Sequence, residues 1–412
     1  MLKKLLMVAA GAAFIALGVG EASQAATFKV IANGLDSPRG IAFGPDGALY
    51  VTEAGRGGTE GCIPLPGTPG VNQCYGPTGA ITRIQNGTQE RVVTGLPSLA
   101  AGNFNVTGPH DIAFDSAGKA YAVVGLGSNP DDRDNQLGIP DFGQLIAINN
   151  FNGGGSWTRL ADFAAYEGLN NPDGSSSGFY NPYNNGIDSN PYGLLIQDDN
   201  VFVVDAAANT LFSVKTDGSE LTLQSVFDAR PVTDPFSGQT IGMQSVPTSI
   251  VTGPDGAFYV GELTGIPFPE DAARIYRIGT DYEPEVFADG FTEIIDLAFD
   301  NKGGLYVLEF TSESLLSGNP NGALIYLAAN GTRTTITSDE LIYPTSLTLG
   351  SDGAVYVANR GFIAGQGEIL RIENTKVPEH NSALSILAFG ACSTVSLLLG
   401  KQKLTSSVKS RA

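Results

Sequence analysis

One hydrophobic pattern recurs along most of the chain, at intervals of about 50 residues. Each copy begins with an alternating apolar run, continues through a tight turn rich in Gly and Asp, and ends with a second apolar run. Alternating runs joined by such turns predict β-hairpins. The six copies occupy residues 37–53, 108–124, 190–205, 246–262, 293–309 and 343–359. Self-similarity at this period predicts a propeller or a solenoid.

A further apolar run follows each hairpin and predicts a third strand. The third runs lie at 81–84, 144–148, 210–214, 274–278, 323–327 and 368–372. A fourth run follows five of the copies but not the sixth, and residues 28–35 have the missing pattern. We therefore predict an all-β, six-bladed β-propeller over residues 27–375 whose last blade is closed by the N-terminal strand. Such closure removes the exposed strand edges that promote aggregation.

A tyrosine stands at the same position of the second strand in five of the copies. These residues are Tyr50, Tyr121, Tyr259, Tyr306 and Tyr356. Because they recur with the repeat, we predict that they pack between blades.

The N-terminus differs in composition from the body. Lys3 and Lys4 precede an apolar stretch over 5–19, which ends in small residues. This layout is typical of a secretory signal peptide, here over residues 1–25. An N-terminal membrane anchor is the alternative, but the apolar stretch is short for a span. The sequence therefore predicts an exported protein, periplasmic or extracellular.

The C-terminus also has its own composition. Residues 383–400 are apolar or small and carry no charge, and basic residues follow them. This predicts one transmembrane segment with its basic end on the cytoplasmic side. With the Pro-Glu pair at 378–379, residues 377–412 resemble a PEP-CTERM sorting signal, although His380 stands where that motif usually has Pro. The resemblance implies attachment to the membrane before any processing; a permanent anchor is the alternative.

The net charge of the chain is −19, and the body is more acidic still because both ends are net basic. Such a surface repels nucleic acid and anionic lipid, so we expect no nucleic-acid partner. Cys62 and Cys74 bracket a loop rich in Pro and Gly, and Cys392 lies in the predicted span. In an oxidising compartment we predict a Cys62–Cys74 disulfide, with two free thiols as the alternative.

Long insertions are concentrated on one face of the predicted propeller. They lie at 54–79, 125–142, 163–189, 228–245 and 263–272. Long loops on a rigid scaffold are where binding and catalysis concentrate. Tyr166, Tyr180 and Tyr183 lie in the third insertion and are candidates for an aromatic ligand platform, with packing inside the loop as the alternative.

Polar residues end the second strands on that same face. They are Glu53, Asp205, Glu262, Glu309 and Asn359. Equivalent repeat positions lie at equal radius and height, so we expect these side chains to converge at the mouth of the central channel. Their oxygen atoms suit Ca²⁺, which makes them candidate metal ligands.

The first strands begin near the same mouth. Each first strand begins with two residues that we expect near the central channel. These pairs are Arg39–Gly40, His110–Asp111, Tyr192–Gly193, Thr248–Ser249, Ile295–Asp296 and Thr345–Ser346. His110 is the only histidine of the body and a candidate general base, while Arg39 and Tyr192 are candidate ligand-binding residues. In the alternative interpretation, the acids cap strand ends and pair with Arg39 or Arg360, which makes the ring structural.

Segments inside and outside the repeat resemble the ScyD/ScyE family of cyanobacterial propeller proteins. They lie at 62–84, 107–114, 170–174, 188–194, 245–250 and 261–269. The resemblance implies an exported protein associated with a late, extracytoplasmic step of scytonemin biosynthesis, which acts on or binds an aromatic intermediate. Scytonemin is an indole-phenol pigment. The family supplies no catalytic residues to carry over.

Two other functions fit these residues. A fold likeness to calcium-dependent lactonases of the gluconolactonase type implies a hydrolase that uses Ca²⁺ and the channel acids. A non-catalytic propeller that binds a small molecule or other exported proteins is the third hypothesis. The sequence contains no nucleotide-binding or redox-cofactor motif, and fold does not determine function, so catalysis stays open at this point.

Overall fold

The computed structural model describes residues 26–151, 155–174 and 186–373. The predicted signal peptide at 1–25 and sorting tail at 377–412, with its span at 383–400 and Cys392, lie outside these residues. Within the described ranges, no helix is long and apolar enough to cross a membrane. Export and membrane attachment therefore stay predictions.

Six antiparallel sheets, each with four main strands, confirm the six-bladed β-propeller. Blades 1 and 2 comprise β2 (Pro38–Phe43), β3 (Leu49–Glu53), β5 (Asn72–Gln85) and β6 (Thr88–Ala101), then β8 (Pro109–Phe114), β9 (Ala120–Val124), β10 (Gln144–Ile148) and β11 (Trp157–Asp162). Blades 3 and 4 comprise β12 (Pro191–Gln197), β13 (Asn200–Asp205), β14 (Thr210–Lys215) and β15 (Thr222–Val226), then β18 (Pro247–Thr252), β19 (Phe258–Glu262), β20 (Ala273–Ile278) and β21 (Pro284–Phe291). Blades 5 and 6 comprise β22 (Ile294–Phe299), β23 (Leu305–Glu309), β24 (Ala323–Leu327) and β25 (Arg333–Thr337), then β26 (Ser346–Leu349), β27 (Val355–Asn359), β28 (Ala364–Glu373) and β1 (Thr27–Asp36).

The remaining elements lie in the connections between these strands. They are β4 (Cys62–Pro64), β7 (Phe104–Thr107), the hairpin of β16 (Arg230–Thr233) and β17 (Thr240–Met243), α1 (Pro130–Asp132), α2 (Phe163–Asn170), a π-helical turn over Arg133–Leu137 and a 3-10 turn over Leu315–Ser317. Most follow second strands or link blades, where the sequence placed the long insertions. The turns between first and second strands are tight. In the first of them Gly47 adopts φ +72°, a conformation that favours glycine.

The ring closes as the missing strand of the sixth repeat predicts. β1 pairs antiparallel with β28, with Phe28 opposite Ile372 and Val30 opposite Leu370. Side chains also join the first and last blades, because the Thr345 hydroxyl donates to the Pro38 carbonyl oxygen at 2.8 Å.

The core lies between neighbouring blades, which bury the apolar faces of their sheets against each other. Three of the recurring tyrosines contact aromatic rings of the next blade. Ring centroids are 4.9 Å apart for Tyr50–Phe114, 4.9 Å for Tyr259–Phe299 and 5.2 Å for Phe43–Tyr356. Tyr121 and Tyr306 are buried as well. The prediction of inter-blade packing is confirmed for the three paired rings.

The disulfide predicted between Cys62 and Cys74 is present, with a Cα–Cα distance of 4.0 Å. It joins β4 to β5 in the insertion at 54–79. Backbone hydrogen bonds also hold this insertion, for example from the Glu60 amide to the Tyr75 carbonyl oxygen at 3.0 Å.

We expect the double substitution Cys62→Ser with Cys74→Ser to loosen this insertion and leave the ring folded. A disulfide acts mainly on the unfolded chain, and closing so short a loop contributes about 3 kcal/mol. Hydrogen exchange should accelerate over 54–79 and change little in β8–β28, while Tm falls by a few degrees. Wild type treated with reductant is the control and should match the variant. Loss of exchange protection throughout the ring would contradict this prediction.

Candidate functional site

The first strands of the blades enclose a narrow cavity on the channel axis. Its lining comprises Gly40, His110, Asp111, Tyr192, Gly193, Thr248, Ser249, Ile250, Ile295, Asp296, Thr345 and Ser346. The cavity measures about 30 Å³, which admits water but no aromatic ring. The residues that begin the first strands therefore converge on the channel, as their recurring place in the repeat predicts. A ligand larger than a few atoms does not fit inside this cavity.

The polar residues that end the second strands do not line this cavity, and their convergence at the mouth of the channel stays a prediction. Three of them form the same hydrogen bond. Side-chain oxygens of Glu53, Glu309 and Asn359 each accept from a backbone amide 17 residues earlier, at 2.6, 2.8 and 2.8 Å. The chain is entering its blade there, so each oxygen ties the incoming segment to the second strand.

The carboxyl groups of Asp205 and Glu262 also have hydrogen-bond partners in nearby segments. Asp205 accepts from the Asn190 amide and the Ser189 hydroxyl, both at 2.6 Å. Glu262 accepts from the Ser245 hydroxyl at 2.6 Å and forms an ion pair with Arg230. Burial raises the pKa of both carboxyls. These contacts support the alternative in which the acids cap strand ends.

The arginine partners of the acids differ from those expected. Glu53 pairs with Arg91 at 2.6 Å, and Arg360 pairs with Glu368 at 2.9 Å rather than with a strand-end acid. Among the described residues, no group of three carboxylate, imidazole or thiolate side chains is placed to hold a metal ion. Calcium binding by Glu53, Asp205, Glu262, Glu309 and Asn359 therefore stays a prediction.

His110 lies in the channel wall, as predicted. It is 3% exposed, its Nδ1 lies 3.1 Å from the Pro191 carbonyl oxygen, and its ring centroid lies 4.7 Å from that of Tyr192. Because a carbonyl oxygen only accepts, Nδ1 carries the proton. Burial, reinforced by Arg39, lowers the pKa of His110 to about 3. The imidazole is thus neutral near pH 7 and a weaker base than an exposed histidine.

Close packing at Gly125 fixes the position of His110. A Cβ atom on Gly125 would lie 2.3 Å from His110 Cε1 and 2.4 Å from Asn190 Oδ1. Only glycine leaves room for both side chains. Glycine at this point in the turn after β9 is therefore a requirement of the channel wall.

Asp111 and Asp296 are channel residues that the sequence did not single out as candidates. They belong to blades 2 and 5, and each accepts from the amide of the next blade, Leu194 at 2.9 Å and Leu347 at 2.8 Å. Burial, followed by repulsion from Asp296, raises the pKa of Asp111 to about 8, and burial raises that of Asp296 to about 6. Their signal in the sequence is an acid in a repeat position that holds Gly or Ser in the other blades.

Arg39 lies beside the cavity and is 8% exposed. Its guanidinium donates to the carbonyl oxygens of Gly361 at 2.5 Å and Val106 at 2.7 Å. These contacts join blade 1 to blade 6 and to the segment that enters blade 2. The structural alternative supposed that Arg39 pairs with the strand-end acids. Its guanidinium binds backbone carbonyl oxygens instead.

Three half-buried aromatic rings, which the sequence did not single out, form a cluster that is linked to Arg39 through the backbone of Gly361. Ring centroids are 5.0 Å apart for Tyr343–Phe362, 5.1 Å for Phe310–Tyr343 and 6.5 Å for Phe310–Phe362. Phe362 follows Gly361, whose carbonyl Arg39 binds and whose amide donates to the Tyr343 carbonyl oxygen. We call Phe310, Tyr343 and Phe362 the aromatic trio.

The predicted aromatic platform in the third insertion is not formed by Tyr166. That residue belongs to α2, and its ring packs edge-on against Phe212, with centroids 5.0 Å apart. Tyr166 thus packs on blade 3, in agreement with the alternative of packing. Tyr180 and Tyr183 lie outside the described residues.

Comparisons with known proteins give a likeness of fold only. No family model and no curated protein matches the sequence. A putative oxidoreductase (glucose dehydrogenase) from Thermus thermophilus has a TM-score of 0.47 at 15% identity, covering 84% of this chain and 99% of its own. A gluconolactonase from Xanthomonas campestris has 0.47 at 11%, covering 84% and 90%, and a virginiamycin B lyase from Staphylococcus aureus has 0.41 at 13%, covering 84% and 99%. Likeness at this level says nothing about the chemistry of this chain.

Proposed function

We propose that this propeller binds a small planar aromatic molecule at the mouth of its channel, outside the cytoplasm. One observation carries the proposal: aromatic rings form two groups, one in the cavity wall and one that includes Phe362, the residue after the Gly361 whose carbonyl oxygen binds Arg39. The aromatic trio lies on the side of blades 5 and 6, and the His110–Tyr192 pair lies on the side of blades 2 and 3. The rings of the aromatic trio and of Tyr192 are half-buried, so they offer both an apolar face and open surface for a further ring, whereas His110 is buried.

The location of the mouth supports the proposal. It lies on the face that carries the insertions, above a cavity too small for the ligand itself. A flat molecule would rest across the mouth, with its edge over the hydroxyl and carboxyl groups of the cavity. Ligand sites of this kind combine apolar walls with a few placed polar groups.

Sequence features support an extracytoplasmic site. The signal-like N-terminus, the Cys62–Cys74 disulfide and the acidic body all suit an exported protein. The resemblance to the ScyD/ScyE family adds that the ligand is an aromatic intermediate of a secondary metabolite. Calcium-dependent hydrolysis is not proposed, because no observation among the described residues favours it over strand capping by the acids.

Binding of indole to the full chain tests the proposal. We expect saturable binding of indole in a calorimetric titration and none of cyclohexanol, which lacks a flat π face. Phe362→Ala should weaken the affinity roughly tenfold, because one ring contact is worth about 1 kcal/mol or slightly more. Phe287→Ala is the matched control, since Phe287 is 45% exposed on the outer strand β21. Equal losses in both variants, or no indole binding, would refute the proposed site.

A further inference from the structure

We infer that the ligand of this mouth carries an anionic group, a carboxylate or a phenolate, that pairs with Arg39. The inference rests on the proposed function, because it concerns the same mouth, and it narrows the ligand from any flat aromatic molecule to an anionic one.

Burial without a counter-ion sets Arg39 apart. Two arginines among the described residues are less than a tenth exposed, Arg39 at 8% and Arg133 at 2%. Arg133 pairs with Asp134 and Asp162, both at 2.7 Å. Arg39 has hydrogen bonds only to carbonyl oxygens, and no described carboxylate lies within ion-pair distance of it. A buried charge without a partner is costly, so a bound anion at this point would be strongly favoured.

The guanidinium keeps donors for such a group. Its Nη1 donates to Pro38 and Gly361, and one Nη2–H donates to Val106. The Nε–H and the second Nη2–H have no acceptor among the described residues. Neighbouring guanidinium nitrogens bind the two oxygens of a carboxylate side by side, and this paired contact is stronger than a neutral hydrogen bond.

The surroundings of Arg39 suit an anion attached to an aromatic ring. Gly361 connects the guanidinium to the aromatic trio, and Arg39 also acts electrostatically on His110 and Tyr192. His110 is neutral near pH 7, so it adds no competing positive charge. A ring held next to the aromatic trio would therefore bring an acidic substituent toward Arg39, a cation that has no carboxylate partner among the described residues. The acidic surface of the protein repels anions at long range, so this selectivity must come from local contact.

The test compares two ligands with the same ring, indole-3-carboxylate and indole-3-carboxamide, titrated into the full chain at pH 7. We expect the acid to bind at least about tenfold more tightly than the amide. Equal affinities would overturn the inference and leave the proposed function standing. Failure of both to bind would overturn the proposed function itself. This comparison uses wild-type protein, so it does not depend on whether a variant folds.

Two variants then locate the effect. Arg39→Gln should abolish the preference for the acid while indole still binds. Arg333→Gln is the matched control, because Arg333 also donates to a carbonyl oxygen, that of Gly290 at 2.9 Å, but lies on the outer strand β25. A preference that survives Arg39→Gln, or that is lost in Arg333→Gln, would assign the anion to a different cation and overturn the inference.

Discussion

Deletion of residues 27–36 should abolish the folded ring at 25 °C. These residues form β1, the outer strand of blade 6, and their loss would leave β28 as a free edge. The deletion removes Leu35 and Ala32 from the apolar layer between blades 6 and 1, which they share with Ile41 and Ile369. It also removes Asp36, which binds Arg91 at 2.8 Å and whose amide donates to Glu53. Far-ultraviolet circular dichroism and limited proteolysis of the full chain, with and without the strand, measure the effect.

Point variants on the same strand separate packing from a general effect of mutation. Leu35 is fully buried, so Leu35→Ala should lower the free energy of unfolding by about 2–5 kcal/mol. Val30 is 48% exposed, so Val30→Ala should change it by about 0.5 kcal/mol or less. A deleted chain that melts cooperatively near the wild-type Tm would show that β1 is not needed for closure.

Closure of the ring was predictable from the sequence because the copies of the repeat share a regular number of strands. Five copies have a fourth strand and the sixth has none, so the strand at 28–35 was expected to complete the sixth blade, as it does. The recurring tyrosines were predictable for a related reason, since a residue that recurs at one repeat position has a similar place in each blade, and three of the five contact an aromatic ring of the next blade. Regular spacing therefore carries information about the scaffold.

The candidate site was predicted only in part, because spacing does not say which way a side chain points. Glu53 and Asp111 both hold recurring positions, but Glu53 binds Arg91 in its own blade whereas Asp111 lines the channel. The innermost strand faces the axis, and the end of the second strand faces the incoming chain. The aromatic trio was missed because its residues lie outside the strands, and aromatic rings do not recur at their positions in the other copies. Arg39 was identified as a candidate, but its lack of a counter-ion depends on contacts between distant segments.

Stability of the ring should be greatest at about pH 4–5 and fall as the pH rises to 8.5. Burial is the main cause of a raised pKa at several carboxyls, to about 8 for Asp111, about 7 for Glu293 and Glu309, and about 6 for Asp296. Each such group binds its proton more tightly in the folded chain than in the unfolded one. It therefore stabilises the fold fully below its unfolded pKa, and this contribution is lost as the pH rises through the folded pKa. Below about pH 4 stability should fall again because of carboxyls whose pKa is lowered in the folded chain. Asp46 and Asp352 are two such groups, and they lose their arginine contacts when they are protonated.

The variant Glu309→Gln tests whether ionisation of one buried carboxyl contributes to this pH dependence of stability. Its carboxylate accepts one backbone hydrogen bond, from the Thr292 amide at 2.8 Å, which the Gln side-chain oxygen can also accept. The variant cannot ionise, so the decline of Tm between pH 5 and 8.5 should become shallower, by an amount corresponding to at most roughly 3 kcal/mol of unfolding free energy. Glu285→Gln is the matched control, because Glu285 is an exposed carboxylate on β21, and its profile should follow that of wild type. Thermal melts of the three proteins from pH 5 to 8.5 decide the point. A wild-type Tm that rises over this range, or a Glu309→Gln profile as steep as that of wild type, would mean that the buried carboxyls remain ionised through contacts other than those described, and that burial does not govern their titration.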